Sequence, residues 1–429
     1  MIRKLSSLPL LFALAGCATS GPLDFVCPGF TTNIGLGTPY AVTPRPSLLE
    51  RQIHSGEIVK SDIDPLSKAF ERYYSRPIGT QALGKPEGML LLSGGGQWGA
   101  FGAGYLSELR DQKQLPHFIF ISGISTGALQ ALAIAAGQAG DTREAGGGQA
   151  AFDAMLAAYS PQSEDEIVNR RPFLLATITG SVAGLKPLRA RMNDIVCATA
   201  ESDPSVPCLV DDLKTLDIPV LLGFVAAASG DFQYVDAVEI AKHARSRKEA
   251  RDCLVGAALA SSAMPVFLQQ VRINKKAYYD GGVRESVFAA RTVASAESAR
   301  KAASGTPPSV PVYVVRNGPT RAAALAKDDP SPDAHADALT AAMRAEPIIV
   351  NQIEVGSIAA LRLEDPQGPV NLITADGWQN AKPACVKKPK VMFQPDFMQC
   401  LRSFGRARAM GAKGGWISLD PVSVAGPQK

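Results

Sequence analysis

The sequence predicts a three-layer α/β protein: a mostly parallel sheet with helices on both faces. Two observations predict it. From about residue 86, apolar runs of strand length alternate with segments of helical periodicity. The chain also has 429 residues, 46% hydrophobic and 20% charged, enough apolar side chain to bury a sheet on both faces.

The elements follow in order. "GMLLLS" reads as a buried strand, and "GAFGAGYLSELRDQ" as a helix with Phe101, Tyr105, Leu106 and Leu109 on one face. "HFIFISG" is a second strand. "TGALQALAIAAGQAG" is a helix of Ala and Leu, apolar all round and therefore expected to be buried all round. "IPVLLGFVAAAS" is a strand, and "EARDCLVGAALASSA" a helix stopped by Pro265. "VRINKKAYYDGG" is a strand or hairpin ending in a tight turn. "VPVYVVRNG" and "PVNLITAD" are later strands, separated by a long helical stretch from about Asp337 to Leu361, and "DFMQCLRSFGRARAMGAK" is the closing helix. No second core is visible. The expected domain therefore runs from 86 to 420, followed by a C-terminal tail, 421–429.

The N-terminus is read as lying outside the fold. Arg3 and Lys4 precede a short apolar stretch ending in "LAGC", and Ala15-Gly16-Cys17 resembles the lipobox of bacterial lipoproteins. That resemblance implies a signal peptide, 1–16, a lipidated Cys17, and a membrane attachment through that anchor. Ala18 after the cysteine implies the outer membrane, facing the periplasm. Residues 17–85 are then a tether and N-terminal extension, in which "SDIDPLSKAFERYYSRP" has room for one helix. A net charge of +4 is too small to indicate a nucleic-acid partner.

Without Cys17, six cysteines remain, which suits an oxidising compartment. Cys197 with Cys208, and Cys385 with Cys400, bracket short loops and are candidate disulfides. Cys27 and Cys253 are left over. Cys253 lies in an apolar helical pattern, so a free buried thiol is expected there. No Cys/His spacing matches a zinc site.

Gly94-x-Gly96-x-x-Gly99 fits the dinucleotide fingerprint, since it follows a strand and opens a helix. The fingerprint also needs a carboxylate at the end of the second strand for the ribose. No Asp or Glu occurs between Asp111 and Asp141. The second strand runs instead into Gly123-Ile124-Ser125-Thr126-Gly127. Gly-x-Ser-x-Gly at a strand end before a helix has the form of a nucleophile elbow. Consecutive parallel strands open their loops at one carboxyl edge, so the backbone N–H groups of Gly94, Gly95, Gly96 and Gln97 are candidates to hold an oxyanion forming beside Ser125.

A serine nucleophile needs a base. Of four histidines, His54 lies in the extension, His117 starts a strand at its far end, and His243 sits in a charged segment. Only His335 lies far enough downstream for a Ser, Asp, His order. The other candidate is Asp280, which ends an apolar-aromatic strand and is followed by Gly281 and Gly282. A partly desolvated carboxylate at hydrogen-bond distance is basic enough to take a serine proton.

Taken together and in this order, Gly94-Gly95-Gly96-x-x-Gly99, Gly123-x-Ser125-x-Gly127 and Asp280-Gly281-Gly282 resemble the patatin-like phospholipases. "SSAMPVFLQQVRINKKAYYDGGV" extends the similarity, which covers about residues 86–300. The resemblance implies a Ser125–Asp280 dyad without histidine, metal or cofactor. It also implies a backbone oxyanion hole at Gly94–Gly96, and a lipid or phospholipid acyl ester as substrate. Acyl transfer to another acceptor uses the same intermediate, and a non-catalytic lipid-binding or envelope-assembly lipoprotein would keep the same fold. One position departs from the family. Its glycine loop usually carries Arg or Lys where this chain has Trp98, a residue suited to an acyl pocket, a bilayer interface or simple helix packing.

Overall fold

A computed structural model describes residues 21–30, 43–45, 65–75, 87–172, 180–198, 203, 206–288, 290–303, 305, 307–322, 338–388 and 391–420. Five parallel strands form the centre of the main sheet: β3 (Glu87–Leu92), β4 (His117–Ile124), β7 (Val220–Ala226), β12 (Val312–Arg316) and β13 (Val370–Thr374), in the order β7-β4-β3-β12-β13. Every residue of β3 is buried, because both faces of the sheet are covered.

Helices α2 (Gly99–Asp111), α3 (Thr126–Arg143), α8 (Arg247–Ser261) and α11 (Pro395–Ala409) share one apolar cluster with Leu90, Leu92 and Phe118. Helices α1 (Pro65–Tyr74), α9 (Ala290–Ala302) and α10 (Ala338–Glu364) contribute Phe70, Val293 and Leu361 to a second cluster, against Met89, Leu91 and Phe120. Alternate residues of one strand thus supply the two cores of a three-layer sandwich. In α3 every residue from Gly127 to Gly140 is buried, as its Ala/Leu composition predicts.

The flanks are antiparallel, so the whole sheet is mixed. β10 (Val271–Ile273) and β11 (Lys276–Asp280) form a hairpin whose two turn residues, Asn274 and Lys275, have φ of 50° and 67°, as a type I′ turn requires. β11 then pairs antiparallel with β7, with Asp280 opposite Phe224, while Ile124 lies opposite Gly223 on the other side of β7. The reversed strand delivers Asp280 to the edge where β4 delivers Ser125. β8 (Phe232–Asp236) and β2 (Thr43–Arg45) pair in succession beside β7, and β14 (Ile417–Ser418) closes the far edge on β13. β5 (Asn169–Arg170), β6 (Ser181–Gly184) and β9 (Val266–Leu268) make a separate small sheet.

The N-terminal segment corrects the sequence reading. β1 (Leu23–Phe25) is not tether but the edge strand of the main sheet, parallel to β10. Asn274 reaches across the chain: its Oδ1 accepts from the Cys27 N–H at 2.9 Å and its Nδ2 donates to the carbonyls of Cys27 and Phe30. Cys253 is not a free thiol, since it is bonded to Cys27 with a Cα–Cα distance of 5.5 Å. The helical pattern around Cys253 gave no sign of a partner 226 positions away. The Cys197–Cys208 and Cys385–Cys400 disulfides form as expected. Helix α1 likewise packs on α9 instead of standing apart. Cys17 and the segment 1–16 lie outside the described residues.

Candidate active site

Ser125 stands between β4 and α3 with φ 54° and ψ −124°, a strained conformation for a side-chain-bearing residue. The strain is held from several sides. The Ser125 N–H donates to Ser261 Oγ at 2.8 Å, and that hydroxyl donates in turn to the Gly223 carbonyl at 2.6 Å. The turn closes so tightly that a Cβ on Gly123 would overlap the Gly127 carbonyl, and one on Gly127 would lie 2.7 Å from the Ser93 carbonyl. Larger residues at either place would push the turn open.

Asp280 is buried at the start of a 3-10 turn, Gly281–Val283. Its N–H donates to the Ala263 carbonyl at 3.0 Å, and its Oδ1 accepts from the Gly282 N–H at 2.7 Å. Gly281 is pressed against β7, where a Cβ would sit 2.8 Å from the Gly223 carbonyl. Burial raises the Asp280 pKa to about 7. The Ser125 side chain, as a hydrogen-bond partner, and the Gly282 N–H pull it back down, while the charges of Glu346 and Glu354 push it up. A carboxylate of that basicity against a serine hydroxyl is matched to proton transfer near neutral pH.

The glycine loop joins β3 to α2 through a 3-10 turn, Gly96–Trp98. Gly95 adopts φ 142°, and a Cβ there would overlap the Asn317 carbonyl. Asn317 is fixed by Ser93, whose carbonyl accepts from its Nδ2 at 2.8 Å, and by Gln130 Oε1 at 2.9 Å. Gln97 is buried, with its Oε1 accepting from the Gln394 N–H at 3.1 Å. The N–H groups of Gly95, Gly96 and Gln97 meet no backbone acceptor among the described residues, as befits the first turn of a helix. Gly94 departs from expectation: its N–H already donates to the Ser286 carbonyl at 3.3 Å. Its smallness serves packing instead, because a Cβ would touch both Ser125 Cβ and Ser286 Oγ at 3.3 Å. Gly99 is likewise a contact glycine, set against Thr126 and Tyr159.

Residues 90–292 match the model of a family described as patatin-like phospholipase. The chain carries a patatin domain. The match takes in the glycine loop, Ser125 and Asp280 together, and the family acts on lipid esters. No curated protein sequence matches the chain.

Within the patatin domain, Trp98 occupies the place of the family's usual cation by packing edge-on against Trp378 and Phe397, with centroids 5.4 and 5.1 Å away. The helix-packing alternative for that residue is the one realised. His117 starts β4, at the opposite end from Ser125, and His243 pairs with Glu239 at a half-exposed surface position. His54 and His335 lie outside the described residues. Sequence reasoning missed Ser261, Ser286, Arg316 and Glu354. Ser286 Oγ donates to Glu354 Oε1 at 2.9 Å, and Glu354 Oε2 pairs with Arg316 Nη2 at 2.8 Å. Ser261 opens the "SSAMPVFLQQVRINKKAYYDGGV" stretch already linked to the family resemblance. The other three come from separate segments with no motif to connect them.

Proposed function

We propose that the protein is a serine lipid acyl hydrolase using Ser125 and Asp280. Asp280 takes the Ser125 proton as Oγ attacks the ester carbonyl carbon. The oxyanion forms within reach of the N–H groups of Gly95, Gly96 and Gln97, where preorganised donors are each worth about 3–4 kcal/mol in the transition state. As the tetrahedral intermediate collapses, the carbon–oxygen bond to the alcohol breaks and protonated Asp280 gives its proton to that oxygen. Water then attacks the acyl-serine, Asp280 accepts its proton and returns it to Ser125 Oγ, and the carboxylic acid leaves. The substrate is a membrane lipid acyl ester, and Cys17 carries the lipid that anchors the chain to the outer membrane on its periplasmic side.

One observation supports this reading above the others: Asp280 lies opposite Phe224 and Ile124 opposite Gly223, so the buried carboxylate and Ser125 arrive at the same level on either side of β7. The test is fluorophosphonate labelling followed by mass spectrometry, with hydrolysis of a short-chain p-nitrophenyl ester measured in parallel. Labelling at Ser125 alone, and loss of both signals in Ser125→Ala, are the expected results. A full hydrolysis rate in Asp280→Asn together with a dead His335→Ala would replace the dyad with a triad.

A further inference from the structure

Helix α10 runs against the direction of the central strands. Glu354 meets Arg316 at the carboxyl end of β12, and Asn351 Nδ2 reaches the carbonyls of Pro319 and Thr320 just beyond it. Arg362, near the other end of α10, donates to the Gly368 carbonyl at 2.7 Å, just before β13 begins at the opposite end of the sheet. The turns before Glu354 therefore continue past the carboxyl ends of the central strands, on the side of Ser125 and Asp280. On these turns Ile348 and Ile349 are 45% and 56% exposed.

Other exposed apolar residues lie on segments tied to Asp280 or to the glycine loop. Val283 closes the 3-10 turn that Asp280 begins. Val266, 55% exposed, is held at φ 71°, three residues after the carbonyl that accepts from the Asp280 N–H. A β-branched residue at positive φ is an outlier. Val386, 65% exposed, is tied through its carbonyl to Gln394 Nε2, and the Gln394 N–H is tied to Gln97 of the glycine loop.

The N-terminus leaves from this edge too. Leu23 is level with Val271, Val271 with Tyr278, and Tyr278 is two residues short of Asp280. Gly21, whose carbonyl accepts from Gln269 Nε2, is therefore level with Asp280, two strands away. Cys17 precedes Gly21 by four positions in the sequence.

We propose that the edge holding Ser125 and Asp280 is a docking face for a lipid bilayer, with Val266, Val283, Ile348, Ile349 and Val386 as its apolar contacts and the N-terminal strand holding it toward the membrane. This rests on the lipid acyl hydrolase reading for its choice of partner. A bilayer fits because the contacts are separate exposed apolar side chains on segments that adjoin the site, because the reactive groups are buried, and because the N-terminal strand begins level with Asp280.

The test uses the full chain with Cys17→Ala, so that no anchor contributes, and vesicles of phosphatidylethanolamine and phosphatidylglycerol. The parent is expected to co-sediment with vesicles. The pair Ile348→Asp and Ile349→Asp should lower the bound fraction at least fivefold at an unchanged melting temperature. Met410→Asp, at an exposed position at the opposite end of α11, should not. Ile349→Trp gives a second readout: brominated acyl chains should quench its added fluorescence. A parent that stays in the supernatant, an aspartate pair that binds like the parent, or an unquenched tryptophan would each overturn the proposal. Hydrolysis of the soluble p-nitrophenyl ester reports on the catalytic reading separately, because it needs no vesicle.

Discussion

Arg316 and Glu354 form an ion pair at 2.8 Å with side chains 1% and 5% exposed, and the second oxygen of Glu354 holds Ser286. Ser286 in turn accepts from the Gly94 N–H. One buried carboxylate therefore links α10, the turn after Asp280 and the glycine loop. Breaking the pair from one side strands a charge in the interior, so Arg316→Met should cost about 3–5 kcal/mol of stability. Adding Glu354→Met should recover most of that stability, read by thermal melting, while kcat stays low because Ser286 has lost its acceptor. A double variant with full kcat would reduce the pair to a packing role.

The pH dependence of catalysis follows from Asp280, whose pKa burial raises to about 7. The base must be ionised to accept a proton, so kcat/KM should rise through about pH 7 and fall on the acid side. Glu346→Gln removes a negative charge that favours the protonated form, so the acid limb should move to lower pH. A limb that moves upward, or not at all, would contradict the assignment.

The same group bears on stability with a definite sign. Its folded pKa lies above the ordinary value of 3.8, so its contribution is fully present below pH 3.8 and is lost as pH rises through about 7. By pH 8 the ionised, buried carboxylate opposes folding by on the order of 4 kcal/mol. Asp280→Asn should therefore melt higher than wild type at pH 8, with the gap narrowing toward pH 4. Asp236 is raised to about 7 as well, so the difference between variant and wild type, rather than the wild-type curve alone, isolates Asp280.

Two neighbouring glycines should respond differently to alanine. At Gly95 the added methyl meets the Asn317 carbonyl, so Gly95→Ala should displace the loop and lower kcat by about 100-fold or more. Gly96 has φ 54° but open space around it, so Gly96→Ala should cost only the local backbone strain, about 1–2 kcal/mol. Steady-state kinetics and melting curves on both variants separate the two effects.

The Cys27–Cys253 disulfide closes a loop of 226 residues. Cys27→Ser with Cys253→Ser should lower stability by about 2–5 kcal/mol in denaturant titration under non-reducing conditions. Equal stability of the two forms would mean that β1 and Asn274 suffice to hold the N-terminal segment.

The sequence by itself determined the central strands, the elbow at Ser125, the glycine loop and Asp280. Each is written locally: an apolar run sets a strand, a helical period sets a helix, and glycines mark where backbone must pass close. The hairpin that carries Asp280 was legible for the same reason. Only the tertiary structure decided which strands pair, and hence that β11 runs antiparallel to β7 and brings Asp280 level with Ser125. It also decided that Leu23–Phe25 belongs to the sheet, that Cys253 meets Cys27, that the Gly94 N–H is occupied by Ser286, and that Arg316 pairs with Glu354. These partners lie tens to hundreds of residues apart, and the choice among them is made by burial and hydrogen-bond satisfaction in the closed core, which no local pattern records.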